Sequence, residues 1–572
     1  MIRPSGPPRT GPPTVAWSWS TDFRVAAIRI PDRSAPSPAT VEVVRNAFIS
    51  GAEQMRKNLY RSAYSPVIYE AKDCSVGIFD SEGHLLGQAP GLPFFLGSLG
   101  GTLREVIRIK GYEVFQDGDV WIVNDSTIAG SHLNDVTVFA PIFVEETLRG
   151  FSAAKAHWND VGAKRAGYVG DSTDIFQEGL RIGPTCIFRN GRTDRQIVDL
   201  IALNSRFPTA LVGDLMAEIS ACRTGVERFR SIVGRFGWDQ VATSLRMVFD
   251  QAEVEDRRSV AEIPDGVYIA DGYLDDDGVT DDPVYVKVMV TVDGDNMTVD
   301  LTGSNQRCVG SINSGMVQTR SAIEQGFKFL VNPHAPVSGG NFRNLEVIAP
   351  EGTCFNPEAT APCLHYGPHL MLAIDLMIKA LSTVIPERTA AGHVGDSWNV
   401  SIVGENEYGL FLSGESLTGG WGAYAGGDGE SALIHSAAGE YRNQPIEALE
   451  NRYPFLMRRH ALREGSGGDG KWRGGLGIIR EYELLAPCAV NLWFERSKQP
   501  SWGLFGGEDG APPEVWVHRP GEEPEKMLKA NGLQVEAGTR LLVKTGGGGG
   551  WGNPTERSPA DRERDRRLEM VT

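Results

Sequence analysis

Gly130-Ser131-His132-Leu133-Asn134-Asp135-Val136, continuing through residue 144, decides how the chain is read, because it joins a polar turn to an apolar run. Residues 136–144 read as a buried strand, with His132 and Asp135 at its entrance. Upstream, Val43, Val44, Ala47, Phe48, Met55 and Leu59 fall at helical spacing, which predicts a long amphipathic helix over 40–60. Short strands are expected at 74–79 and 121–124, with a Gly/Pro loop at 91–101 between them. Downstream come a second helical region over 209–233, a hairpin over 286–301 turning at Asp293-Gly294-Asp295-Asn296, and a third helix over 370–385 stopped by Pro386.

Past residue 445 the chain is rich in glycine and β-forming residues. The expected class is therefore α+β: a multi-lobed mixed fold with long helices and a mainly β C-terminal region. Four stretches are expected: a flexible Pro-rich arm at 1–38, an α/β region at 39–260 carrying a metal site, a mixed α/β region at 261–445, and a mainly β, Gly-rich region at 446–572.

At 572 residues the chain exceeds what one hydrophobic core supports, so more than one packed body is expected. Its 41% hydrophobic and 23% charged residues are globular values and argue against disorder over most of the length. A net charge of -17 disfavours a phosphate-tracking surface, which excludes nucleic acid as an expected partner. No stretch is apolar enough to span a membrane and the N-terminus lacks the pattern of a secretion signal, so a cytoplasmic location is expected. The seven cysteines are scattered and form no CxxC pair, which suits a reducing compartment and small buried hydrophobes. Cys74 is singled out because it follows Asp73.

Two of the ten histidines sit in similar settings: His132 with Asp135 three residues on, and His157 with Asp160 three residues on. Both pairs border apolar segments, where a strand end can hold a side chain at a fixed angle. Imidazole and carboxylate together suit zinc, manganese or iron. A turn cap satisfied by local backbone explains either pair alone. Asp73 opens a strand-like run and is a further carboxylate candidate, while Asn124-Asp125 ends an apolar strand and reads as turn-making. His365 and His369 are four apart, but Pro368 between them argues for a helix N-terminus, which leaves them as pocket-lining candidates. The Gly467 to Gly477 run precedes a strand rather than a helix, so it reads as a structural turn and not a phosphate loop. Gly546 to Gly550 reads as a tight crossing of segments.

These segments resemble the hydantoinase B / 5-oxoprolinase family. The resemblance rests on Arg61-Ser62-Ala63-Tyr64-Ser65-Pro66 leading to Asp73-Cys74-Ser75, on the two His/Asp segments, on Thr173-Asp174-Ile175-Phe176-Gln177-Glu178-Gly179-Leu180, on Leu345-Glu346-Val347-Ile348-Ala349-Pro350, and on the two glycine-rich runs. It extends from about Thr40 to about Arg562. The chain departs from the family where His157-Trp158-Asn159-Asp160 stands for a frequent His-His-Ala-Asp, which places Trp158 as a candidate for contact with substrate.

The resemblance implies a divalent metal held by His132, Asp135 and His157, with Asp73 beside it as ligand or base and Asp160 as the other candidate base. It implies a partner resembling hydantoinase A that binds ATP and Mg, in keeping with the lack here of a GxxxxGK[ST] loop and of any other nucleotide-binding residues. The implied activity is ATP-dependent hydrolysis of a cyclic amide within a hetero-oligomer. Ketone carboxylation and a purely scaffolding role are the alternatives.

Overall fold

Ser37 caps the first long helix, α1 (Pro38–Ser62), its hydroxyl accepting the Thr40 N–H at 3.2 Å, and Pro38 supplies a preset helical φ in the first turn. The computed structural model describes residues 36–189 and 191–571, so most of the arm expected over 1–38 lies outside the described residues. Val41, Val44, Phe48, Met55 and Leu59 recur at three- and four-residue steps and form one buried stripe on α1.

That stripe packs on a seven-stranded sheet and on a second long helix. The strands are β1 (Cys74–Asp80), β2 (Leu85–Gln88), β3 (Val120–Val123), β4 (Asp135–Val144), β5 (Thr147–His157), β6 (Thr185–Arg189) and β7 (Arg192–Thr193), in the order β2-β1-β5-β4-β3-β6-β7. Every neighbouring pair is antiparallel. α2 (Pro93–Lys110) covers one face with Leu99, Leu103 and Val106, while α1 and α3 (Pro208–Phe236) cover the other. A strand covered on both sides has no face to give to polar residues, which explains the unbroken apolar run of β4.

Helix α2 overturns the loop expected at 91–101. Gly97 and Gly101 lie where α2 crosses α4 (Met316–Val331): an added Cβ would come within 2.2 Å of Ser321 Oγ at the first and 2.7 Å of Val317 Cγ1 at the second. These glycines serve close helix approach rather than turning, a use that propensity does not reveal.

The next sheet holds β8 (Gly266–Leu274), β9 (Val284–Asp293), β10 (Asn296–Asp300) and β11 (Leu345–Ile348) in the order β11-β10-β9-β8, with β9 and β10 forming the expected hairpin. α4 and the almost wholly buried α5 (Pro368–Leu381) share its core. α5 stops at Leu381, four residues short of the expected end.

The C-terminal strands are β12 (Asn399–Asn406), β13 (Gly409–Ser416), β14 (Phe455–Leu462), β15 (Ile478–Leu484), β16 (Cys488–Trp493), β17 (Glu514–His518), β18 (Glu525–Lys526), β19 (Lys529–Val535) and β20 (Arg540–Lys544). They form two sheets, β13-β12-β16-β19 and β14-β15-β20-β17-β18, around one apolar core. Because β12 pairs with β16, residue 445 does not separate one sheet from another. The two glycine-rich runs cross beside this core: Trp472 and Trp551 exchange backbone hydrogen bonds of 2.9 and 3.0 Å, and a Cβ on Gly474 would lie 1.9 Å from Gly548 O. The second run is the tight crossing expected of it, and the first, expected as a structural turn, is its partner there.

Candidate metal centre

Strand register assembles the centre. Asp135, the first residue of β4, stands opposite His157, the last of β5. On the other side of β5, Cys74 stands opposite Ala156, and the Asp73 carbonyl accepts the His157 N–H at 3.1 Å. Asp73, His157 and Asp135 therefore meet at one end of three adjacent strands. His132 joins them from the turn that opens β4, where Asp135 N–H donates to its carbonyl at 3.1 Å. Asn124 fixes that turn: its amide donates to Leu133 O at 2.7 Å and Leu180 O at 2.9 Å, and its oxygen accepts the Ile182 N–H at 2.6 Å. Asn124 is thus a buried cross-link, while Asp125, expected to make a turn, caps the short helix Ser126–Ala129 and pairs with Arg181.

Three donor atoms converge in this pocket. His132 Nε2 lies 2.7 Å from Asp135 Oδ1 and 3.1 Å from His157 Nδ1, which itself lies 3.1 Å from Asp135 Oδ1. Ligands about 2.1 Å from one ion stand about 3.0 Å apart in octahedral and about 3.4 Å apart in tetrahedral geometry, so these spacings fit a shared ion. Hydrogen bonding elsewhere on the rings directs lone pairs inward. The Leu364 carbonyl, an obligate acceptor, lies 2.9 Å from His132 Nδ1, so Nδ1 carries the proton and Nε2 is free to ligate. Tyr168 Oη lies 2.7 Å from His157 Nε2, and with Nε2–H donating to it, Nδ1 likewise keeps its lone pair. All three residues are buried, and a dry cluster of two lone pairs and a carboxylate needs a cation or a shared proton at its centre.

The electrostatics agree. Burial alone would raise the Asp135 carboxyl, but His132 and His157 hold it well below the usual carboxylate range. Burial pushes His157 down; His132, also opposed by burial, is raised by the charge of Asp135. Burial, then the neighbouring Asp135 charge, push the Asp73 carboxyl up to about 8, so it can hold or take a proton near neutral pH.

Some residues of this pocket carry no signal in the sequence. Tyr168, from the loop after β5, stacks on His157 with centroids 5.4 Å apart, and the Tyr366 ring meets His132 edge-on at 5.0 Å. Lys155 lies on the His157 face of β5, fully buried, donating to Ser98 Oγ at 3.1 Å and Ala129 O at 3.3 Å. Each comes from a single position with no repeat or spacing to mark it.

Other expected site residues lie elsewhere. Asp160 binds Arg206, accepting its backbone N–H and its guanidinium at 2.6 Å each, and so anchors the chain leading to α3 rather than the base position. Trp158 follows His157 at the end of β5 and points to the opposite side; its indole N–H donates to Glu218 at 2.9 Å inside the core. Cys74 is also core, its thiol pushed well up by burial.

His365 and His369 do not share a face, because α5 begins only at Pro368. His365 stacks on Trp493 at 3.7 Å with Nδ1 2.9 Å from Ser311 Oγ, and its ring is 6.4 Å from that of Tyr168, which keeps it beside the centre. His369 is sealed in the core against Phe355 and Ser314, where burial lowers it to about 3. It is a neutral core histidine.

Comparison with known proteins adds an independent line. A family model described as Hydantoinase B/oxoprolinase matches residues 37–554. One component chain of a putative D-/L-hydantoinase of Pseudomonas sp. strain NS671 is 31% identical over 543 residues, covering 91% of each chain. Among solved structures, the ATP-dependent caprolactamase of Pseudomonas jessenii matches with a TM-score of 0.89 at 28% identity, over 94% of this chain and 95% of that one. An acetone carboxylase in its nucleotide-free form matches with a TM-score of 0.86 over 94% of this chain and 78% of that one, at 19% identity, a likeness of fold alone.

Proposed function

The chain belongs to the hydantoinase B/oxoprolinase family, and from that premise we propose that it is the metal-holding catalytic subunit of an ATP-dependent cyclic-amide hydrolase. The ring it opens is phosphorylated on its carbonyl oxygen by a partner resembling hydantoinase A, which binds ATP and Mg. The observation that carries this reading is the convergence of His132 Nε2, Asp135 Oδ1 and His157 Nδ1, with the outer nitrogen of each imidazole tied to an oxygen. A divalent ion held there, zinc, manganese or iron, supplies Lewis acidity and lowers the pKa of water.

The chain's own residues do the rest. Asp73 sits at the same strand ends, half-buried, and takes the proton of the attacking water as general base. Tyr168, stacked on His157, and His365 beside it are the aromatic rings that would limit entry of bulk water to the triad. Among the described residues no helix is long and apolar enough to cross a membrane and the seven cysteines are free, which supports work in the cytoplasm.

The test is turnover of the co-purified complex with ATP on hydantoin, a lactam and 5-oxoproline, and in parallel on acetone and acetophenone with bicarbonate. Ring-opened product formed with ADP is the expected result. A carboxylated ketone in its place overturns the hydrolase reading in favour of ketone carboxylation. A His132→Ala chain that assembles and still turns over at the wild-type rate reduces this chain to a scaffold.

A further inference from the structure

Glu178 is fully buried and makes no direct ion pair among the described residues; the charges of His132 and Lys164 act on it only from a distance. It closes the short turn Ile175–Gln177, and each carboxylate oxygen accepts one of two consecutive backbone amides: Cys363 N–H to Oε2 at 2.9 Å and Leu364 N–H to Oε1 at 3.0 Å. The next group along that backbone is the Leu364 carbonyl, which accepts His132 Nδ1–H at 2.9 Å. A buried carboxylate without a counter-cation is expensive, and local turn-making does not require one. Two amides fixed on one rigid fork do, however, set the orientation of the chain at 363–364.

From this geometry we infer that Glu178 is a positioning residue for the metal centre, holding the Leu364 carbonyl where it fixes the ring angle and tautomer of His132. The inference rests on the metal-centre reading above and extends it to a residue that touches neither ligand nor substrate. The link runs from the turn after β5 to the segment before α5, so it ties two parts of the fold at the point where His132 needs an acceptor. Asn313 holds the same segment independently, its amide donating to Pro362 O at 3.0 Å without reaching the Leu364 carbonyl.

The test uses Co2+ as the probe, with affinity from chelator competition and the visible spectrum of the bound ion as readouts on the full chain. E178Q aims an NH2 at a backbone N–H in place of an oxygen. It is expected to weaken Co2+ binding about 10–100-fold and to shift the spectrum, with the metal-free unfolding temperature close to wild type. N313A, which loosens the same segment, is expected to leave the spectrum unchanged. Should E178Q not fold, E178D keeps the charge at a shorter reach and is expected to weaken binding in the same direction by a smaller factor. Wild-type affinity and spectrum in whichever variant folds, or an equal spectral shift in N313A, overturn the inference alone. A wild-type chain that takes up no Co2+ overturns the metal centre and this inference with it.

Discussion

Asp135→Ala is expected to yield a folded chain that purifies without metal and turns over on the order of 10³-fold more slowly than wild type or worse. Asp135 Oδ1 is the one atom within 3.1 Å of both imidazole donors, so its removal leaves two neutral nitrogens facing each other with no negative charge to hold a dication. The fold has something at stake as well: His132 and His157 hold the buried Asp135 carboxylate ionised, so its loss also removes a favourable pairing from the metal-free chain, although its Oδ2 has no partner. Elemental analysis by plasma mass spectrometry and a thermal scan with and without chelator separate these effects. Chelator should lower the unfolding temperature of the wild-type chain and leave that of Asp135→Ala unmoved, because an ion at 100 times its Kd stabilises a fold by about 2.7 kcal/mol. Stoichiometric metal retained in Asp135→Ala would falsify the assignment of the ligand set.

Gly548→Ala should be among the most damaging single changes in the chain. Its Cβ would lie 1.9 Å from Trp421 O and 2.2 Å from the carbonyl carbon, where only backbone can yield. The Gly474 backbone lies as close, since a Cβ on Gly474 would come within 1.9 Å of Gly548 O, so the segment has nowhere to retreat. A loss above about 4 kcal/mol is expected, seen as insoluble expression or a collapsed unfolding temperature. Gly234→Ala is the control: it lies near the end of α3 with nothing within 4 Å of an added Cβ, and the same methyl there should stabilise by roughly 0.5–1 kcal/mol. Equal, mild effects at the two positions would show that the crossing is not close-packed.

What the sequence makes legible follows from periodicity. The stripe of α1, the unbroken run of β4 and the β9–β10 hairpin each repeat a pattern long enough to read, and the twin His/Asp segments mark the triad. Helix α2 is hidden because its glycines answer to a neighbour, α4, that lies more than two hundred residues away in the chain. Trp158 is misplaced when adjacency to His157 is taken as proximity to its ligands, since alternation at the end of β5 sends it to the far side. Tyr168, Glu178 and Leu364 enter the site through loops, where position is set by tertiary contacts and one-dimensional spacing says nothing. Glu178 did leave one trace, as the sole glutamate in a segment that resembles the family.

The ligands all come from the turn and hairpin between His132 and His157, whereas the carbonyl that orients His132 belongs to Leu364. During synthesis the hairpin can pair as soon as β5 has left the ribosome, because its contacts are local and its loop is short. Its orienting carbonyl emerges some two hundred residues later. A nascent chain thus passes through a stage in which the donor atoms are gathered but His132 remains free to rotate, and tight ion capture is deferred until the middle of the chain has closed over it.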